Sequence, residues 1–312
     1  MASDKESSSR TRSTPPAQPV QREGYPWGRV VFGCLLVLGC WGVGLYREYR
    51  EEVDLAIRRV QDWQFSKLWP ALSPMSALGV DPFRKPLWAQ VQGSVLEIGS
   101  GLGEPLRLLP PASVDKYVAL EPNVYLHPQL AENARAAGFA VEYDEGTCPG
   151  ASQVGVRGSG VPLTIVNGTL DWGVPEAVQR NGPYDVVIAS LVLCSVDDPA
   201  ANLRAAQDLL VPGGKFIFVE HVHHTDENDM TVGPVYVPGS LGVALWRRIQ
   251  SNLSPVWSLF TGNCHLDRET GRLIGDMEGW SQVEINTHRG TNGFLAKLMP
   301  LIYGVAIKAP AE

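Results

Sequence analysis

The chain has 312 residues, 44% of them apolar and 19% charged, with a net charge of −7 and five cysteines. That length and apolar content allow a substantial core, in one large domain or two small ones, while the acidic balance and the lack of a basic stripe argue against bulk nucleic-acid binding. Cys34, Cys40, Cys148, Cys194 and Cys264 are odd in number and contain no CxxC pair, which speaks for reduced, mostly buried thiols and against a zinc site.

Residues 1–24 are rich in Ser, Thr, Pro, Gln and Arg and nearly devoid of large apolar side chains, so disorder is expected there. Val30 to Tyr46 then runs without a charge between Arg29 and Arg47. With Tyr25, Pro26 and Trp27 at the interface, the run approaches the roughly 20 residues that a bilayer span requires. Aromatics and Arg47 follow where a small-residue cleavage site would be needed, so a single uncleaved transmembrane anchor over 25–47 is expected in place of a signal peptide. A buried core helix is the plainer rival. Arginines flank both ends and leave the orientation open. A short span favours a thin membrane such as the endoplasmic reticulum. The Arg- and Ser-bearing N-terminus leaves a mitochondrial membrane open, although Asp4, Glu6 and Glu23 count against a transit peptide.

Arg47 to Trp69 places Val53, Ile57, Val60 and Leu68 among many charges, the pattern of an amphipathic helix that could lie on the bilayer or cover a domain. A solvated linker helix is an equal alternative. Pro70, Pro74, Pro82 and Pro86 are expected to break the following path into short pieces, so 48–90 reads as a linker and cap.

A single domain is expected over 91–312. Strands are predicted near 94–98, 117–121, 163–166, 185–190 and 215–220, and helices near 104–109, 128–137, 175–180 and 199–210. This alternation, with nearly continuous apolar strands, means an α/β fold whose parallel sheet is covered on both faces. Gln282–His288 and Tyr303–Lys308 would add a C-terminal antiparallel hairpin, giving a Rossmann-like, seven-stranded, mostly parallel sheet. Residues 144–160 read as an exposed insertion, and 223–280 as a lid-like insertion carrying Trp246, Trp257 and Phe260, with Trp280 at its end.

The chemistry gathers on one rim of that sheet. Val95-Leu96-Glu97-Ile98 runs into Gly99-Ser100-Gly101-Leu102-Gly103, a strand followed by a turn whose glycines let a ligand approach the backbone. Glu121 ends the next strand, 18 positions after Gly103, where a carboxylate can take both hydroxyls of a ribose. Glu104 beside the turn would repel a pyrophosphate, and no GK[ST] follows. A nucleoside without phosphates, such as S-adenosylmethionine, fits better.

Further along, VLEIGSGLGE, YVALEPN, YDVVIASLVLCSVDDP and LRAAQDLLVPGGKFIFVEHV resemble, in order, the motifs of class I S-adenosylmethionine-dependent methyltransferases. More narrowly, LVLCSV, PGGKFIFVEHV, SPVWSLFTGNCHLDRET and IYGVAIKA are similar to the membrane-anchored thiol S-methyltransferases of the methyltransferase-like group. The resemblance covers about 91–309. It implies that Glu97, Gly99, Ser100, Gly101 and Gly103 contact the amino-acid moiety of the cofactor and that Glu121 holds the ribose. It also implies that Asp171 faces the adenine amino group and that Ser190 and Leu191, with the residues up to Leu193, lie beneath the cofactor. Ser100 and Leu102 depart from the family, where Cys and Thr are frequent.

Methyl transfer from a sulfonium is an in-line displacement that an enzyme assists chiefly by positioning and desolvation. A thiol is partly ionised at neutral pH and needs little base help, whereas a hydroxyl or carbon acid needs more. His221, at the end of its strand, is the candidate catalytic residue to orient or deprotonate a nucleophile, with a backbone-bonded structural histidine as the equal alternative. Asp197 and Asp198 read mainly as helix caps. His221, His223, His224 and Asp226 lack a fixed third ligand, so no metal is expected. Cys194 reads as a buried small apolar residue, and Cys264 and His265 stay unassigned.

The expected activity is methyl transfer from S-adenosyl-L-methionine to a small lipophilic acceptor, a thiol first, by a membrane-tethered enzyme whose other partner is the lipid bilayer. O-, N- or C-methylation of a secondary metabolite or quinone is the second reading. A non-catalytic scaffold on the same fold is the third, disfavoured by the intact glycine turn and Glu121.

Overall fold

Every strand that carries the rim is a short apolar run, and the computed structural model pairs them into one eight-stranded sheet. The structure describes residue 42 and residues 48–144, 160–224, 240–288 and 297–310. By contacts the chain divides into two units, 1–55 and 56–312. Of the first unit only residue 42 and residues 48–55 are described, so most of the expected anchor 25–47 falls outside the described residues, as do Asp226, most of the 144–160 insertion and the start of the 223–280 segment. Among the described residues no helix is long and apolar enough to cross a membrane.

The sheet order is β3-β4-β2-β1-β5-β6-β8-β7. Its members are β1 (Gly93–Ile98), β2 (Val114–Leu120), β3 (Phe139–Tyr143), β4 (Val161–Val166), β5 (Tyr184–Ser190), β6 (Leu210–His221), β7 (Trp280–His288) and β8 (Leu301–Lys308). The first six pair in parallel. β8 lies antiparallel between β6 and β7, so the expected hairpin forms the far edge. The count is eight where seven were expected. The extra strand is β3, which follows helix α2 (His127–Ala136), turns at Gly138 and adds in parallel to β4.

Alternate residues of each strand feed two opposite cores, as period-two side-chain alternation requires. Leu96, Ile98, Val118, Leu120, Val187, Phe216 and Phe218 face one layer. Val95, Tyr117, Ala119, Val186, Ile188, Ile217 and Val219 face the other. Helices α3 (Glu176–Asn181) and α4 (Pro199–Leu209) follow their strands as read. The segment at 104–109 is a short 3₁₀ helix, Glu104–Leu108. Beyond β6 come α5 (Ser240–Phe260) and α6 (Thr270–Asp276).

The largest departure from the sequence reading is α1, a single helix over Arg50–Trp88 in place of the expected short pieces. Each of its four prolines removes one backbone hydrogen bond and crowds the carbonyl four residues back. At 3.6 residues per turn they fall as two close pairs, Pro70/Pro74 and Pro82/Pro86, about 120° apart around the helix, so the lost bonds are shared between two faces. Burial compensates: Val80, Leu87 and Trp88 enter the core layer that contains Val95 and Ile188.

The direction of the chain reverses on either side of β1, because β2 pairs along one edge and β5 along the other. A crevice outside the carboxyl ends of the strands forms at such a switch point. The site grows from it.

Candidate active site

β1 ends at Ile98 and the backbone turns through Gly99, Gly101 and Gly103, all at positive φ. The three glycines are required for different reasons. A Cβ on Gly99 would run into the Val192 side chain, and one on Gly103 into Leu130, whereas at Gly101 the nearest atom would be Trp69 Nε1, 3.9 Å away. Gly99 and Gly103 therefore permit packing, while Gly101 keeps open backbone. The turn is tied to the next strand: Gly99 N–H donates to Leu120 O at 2.8 Å and Ser100 N–H to the same oxygen at 3.3 Å.

Glu121 follows β2 directly, and its carboxylate reaches back to that turn. Oε2 accepts from Gly101 N–H at 2.7 Å and Oε1 from Asn123 N–H at 2.9 Å. The glycine turn and the acidic residue, 20 residues apart, thus form one pocket wall. Glu97 sits behind it, buried, accepting from Tyr117 OH at 2.7 Å. Burial pushes both carboxyls up to about 7 against the hydrogen bonds that favour their ionised forms.

The other wall comes from β5 and β6. Leu191 has positive φ (57°), rare for a residue with a side chain, and its N–H bonds Val219 O at 2.9 Å. The next two amides, Val192 N–H and Leu193 N–H, donate to Glu220 Oε1 at 3.0 and 3.1 Å. Glu220 is wholly buried, raised to about 7 by that burial, and its second oxygen has no partner among the described residues. Ser190 Oγ accepts from the buried Arg84 Nε at 3.0 Å. Arg84 pairs with Asp81 at 3.5 Å and lies near Glu97 electrostatically.

Asp171, expected to face the adenine, is engaged on both carboxylate oxygens. Its Oδ1 accepts from Asp198 N–H (3.0 Å) and Asn202 Nδ2 (2.6 Å), and its Oδ2 from Thr169 OH (2.8 Å). Its carboxylate thus fastens the start of α4. Asp198 caps that helix through Ala201 N–H at 2.9 Å, as the capping reading requires. Asp197 pairs with Arg58 at 2.9 Å.

The histidines separate. His223 Nε2 contacts Arg247 O at 3.3 Å, and His224 Nε2 contacts Lys297 O at 2.6 Å, its ring stacked on Trp246. His221 ends β6, with Nε2 2.9 Å from Cys264 Sγ. Trp257 Nε1–H donates to the same sulfur at 3.3 Å. Cys194 joins them: its sulfur, a His221 ring nitrogen and the Cys264 sulfur all lie within 4.8 Å of one another. Of the aromatics in 240–280, Trp246 packs on His224 and Trp280 on Phe216, while only Trp257 reaches this cluster.

The sequence reading of 48–90 as a cap named no residue of α1 that would reach the glycine turn. Its Trp69 approaches the open side of Gly101, Ser73 OH donates to Glu104 at 2.9 Å, and Asp62 O accepts from Asn123 Nδ2 at 2.9 Å. The helix therefore covers the glycine turn. The aromatic spacing of Phe65 and Trp69, stacked at 5.4 Å, was the signal available.

Residues 74–258, more than half of the chain, match the family described as a methyltransferase domain. The chain belongs to that family. Thiol S-methyltransferase TMT1B of Rattus norvegicus is 25% identical over 284 residues, covering 88% of this chain and 91% of the relative. Thiol S-methyltransferase TMT1A of Homo sapiens is 26% identical over 217 residues, covering 69% and 70%. An O-methyltransferase family protein from Burkholderia thailandensis superposes with a TM-score of 0.47 at 14% identity, over 78% of this chain and 59% of that one. The protein is an S-adenosylmethionine-dependent methyltransferase. The pocket fits that cofactor. It offers the two buried carboxylates of Glu97 and Glu121 and open backbone at Gly101, a donor set suited to a cationic sulfonium nucleoside.

Proposed function

We propose that the enzyme methylates small lipophilic thiols while tethered to a membrane. Bound S-adenosylmethionine supplies an electrophilic methyl group on a sulfonium. Glu97 would receive the cofactor's ammonium and Glu121 its ribose hydroxyls. Gly99, Ser100, Gly101 and Gly103 would line its amino-acid end, with Ser190 and Leu191 beneath. Arg84, a buried cation beside Glu97 and Ser190, is suited to the cofactor carboxylate. Asp171 would face the adenine through Oδ2, which also accepts from Thr169 OH, while Oδ1 holds the start of α4.

The observation that carries the thiol reading is the sulfur-rich cluster of Cys194, His221 and Cys264 at the end of β6, where His221 would orient or deprotonate the acceptor. The two mammalian relatives bearing the name thiol S-methyltransferase support it. The tether rests on the uncharged run Val30 to Tyr46 and on apolar side chains that face solvent. These are Val60 and Trp63 of α1, and Leu253, Val256, Leu259 and Phe260 of α5. The endoplasmic reticulum is the proposed membrane, by the shortness of the run.

Turnover of labelled cofactor with a panel of thiols, phenols, amines and quinones tests the acceptor. Thiols are expected to dominate, and a preference for phenols or quinones would replace this reading with O- or C-methylation. Alkaline extraction of the full chain tests the tether: retention in the membrane pellet is expected, and release would remove it.

A further inference from the structure

The His221–Cys264 contact is closer than a histidine acting by itself requires. Cys264 Sγ receives Trp257 Nε1–H at 3.3 Å while facing His221 Nε2 at 2.9 Å, with the Cys194 sulfur in the same cluster. A neutral thiol has little use for several donors. A thiolate, which only accepts, is stabilised by them. Apolar cover strengthens the pairing, since His221 and Cys194 are buried and Cys264 is half-buried.

The cluster is also in the right place. Cys194 lies in the loop whose Val192 fills the space over Gly99, and His221 directly follows Glu220, which holds that loop by two amides. One continuous set of contacts therefore joins the glycine turn to the sulfur. His221 Nδ1 is buried without a partner among the described residues, leaving a polar atom for an incoming group.

The structure assigns Cys264 as the proton acceptor of the reaction, held as a thiolate against the His221 imidazolium. This deepens the thiol reading and rests on it. The acceptor S–H bond breaks, its proton goes to Cys264 Sγ, and the electron pair stays on the acceptor sulfur, which replaces Cys264 as the partner of the imidazolium through Nδ1–H, so that the ion pair is exchanged and not lost. After the methyl sulfide forms, Cys264 returns its proton to solvent. No oxidant or reductant takes part.

Electrostatics agree with the geometry. The hydrogen bond from Cys194, followed by the charge and hydrogen bond of His221, draws the Cys264 thiol well below the usual thiol range, against the opposing effect of burial. Burial alone would lower His221, but the Cys264 sulfur outweighs it and raises the imidazole. Cys194 moves up, by its hydrogen bond to Cys264 and by burial, and so stays a thiol. The other titratable or charged groups facing the pair are Glu220 on β6 and, beyond Cys264, His265 with Arg268, Asp267 and Asp197 around it.

Two measurements on the full chain test the assignment. The first is the pH dependence of alkylation of Cys264 by iodoacetamide, followed by peptide mass spectrometry. The midpoint is expected below the value of about 8.5 for a free thiol, rising in His221→Phe. A midpoint at 8.5 that ignores His221→Phe overturns the proposal. So does stoichiometric zinc in the purified protein, which would turn the three side chains into ligands. The second is Cys264→Ala kinetics across thiols of different acidity. The variant should lose on the order of 10²-fold in kcat on alkyl thiols at pH 7, recovering as pH rises, and much less on already-ionised aromatic thiols. An equal loss on both classes means a structural role and overturns it. If no thiol is turned over by the wild type, the acceptor reading fails, and the alkylation midpoint still decides whether the thiolate pair exists.

Discussion

The two walls of the pocket are built by different means. The cofactor wall is backbone: glycines at positive φ, amides bonded to Leu120 O, and a carboxylate that follows its strand directly and accepts Gly101 N–H. The proposed acceptor wall is side chain: Cys194, His221, Trp257 and Cys264, drawn from a loop, a strand end, a helix and a second loop. Backbone geometry is local in sequence and is spoiled by any Cβ. Side-chain clusters are assembled from afar and are spoiled by chemistry. Substitutions in the first wall should therefore remove binding, and those in the second should alter turnover.

The sharpest way to break that division is Gly99→Val. A branched side chain there meets both Val192 and a positive φ, so cofactor affinity should fall more than 100-fold on the order-of-magnitude scale of such strain plus collision. Calorimetry reads the affinity, and a thermal melt confirms that the sheet persists. Glu121→Ala comes next. It removes the proposed ribose contact and frees Gly101 N–H, which should cost about 2–3 kcal/mol of binding, roughly 30- to 150-fold in Kd.

Gly101→Ala separates fold from ligand. No protein atom opposes its Cβ closely, so a thermal melt should register only the left-handed backbone, about 1–2 kcal/mol, but the Cβ enters the space kept open for the cofactor and affinity in the same titration should drop about 30-fold. Unchanged affinity in a folded Gly101→Ala would show that the cofactor does not approach this backbone.

The smallest effect is in pH. Glu97, Glu121 and Glu220 are pushed by burial from 4.5 to about 7, so between those values the folded chain holds more protons than the unfolded one. Stability without ligand should then fall as pH rises from about 4.5 to about 7, seen as a lower denaturation midpoint. A cationic cofactor favours ionised carboxylates, so its binding should release protons and tighten about tenfold from pH 6 to pH 8. Affinity that weakens over this interval would contradict the placement of Glu97 and Glu121.

The same contrast explains what was legible beforehand. Glycines, apolar strands and Glu121 are neighbours in a motif, and their order along the chain reveals one pocket. β3 escaped notice because Phe-Ala-Val-Glu-Tyr is five residues long at a sheet edge, too short to carry a period. The continuation of α1 beyond Trp69 was missed because four prolines are local breakers, while the burial of Val80, Leu87 and Trp88 that overrides them is tertiary. Asp171 kept its expected place after the strand, yet its partners Asp198 and Asn202 lie 27 and 31 residues further on. Cys264 is 43 residues from His221, and only folding brings them together.

The central claim is that the Glu121 carboxylate, fixed to the glycine turn, grips the ribose of the methyl donor. Calorimetric titration of S-adenosylmethionine and its 2′,3′-dideoxy analogue into wild type and Glu121→Ala examines that grip directly. The account predicts a clear preference for the hydroxylated ligand in wild type that vanishes in the variant. An undiminished preference in Glu121→Ala would contradict it.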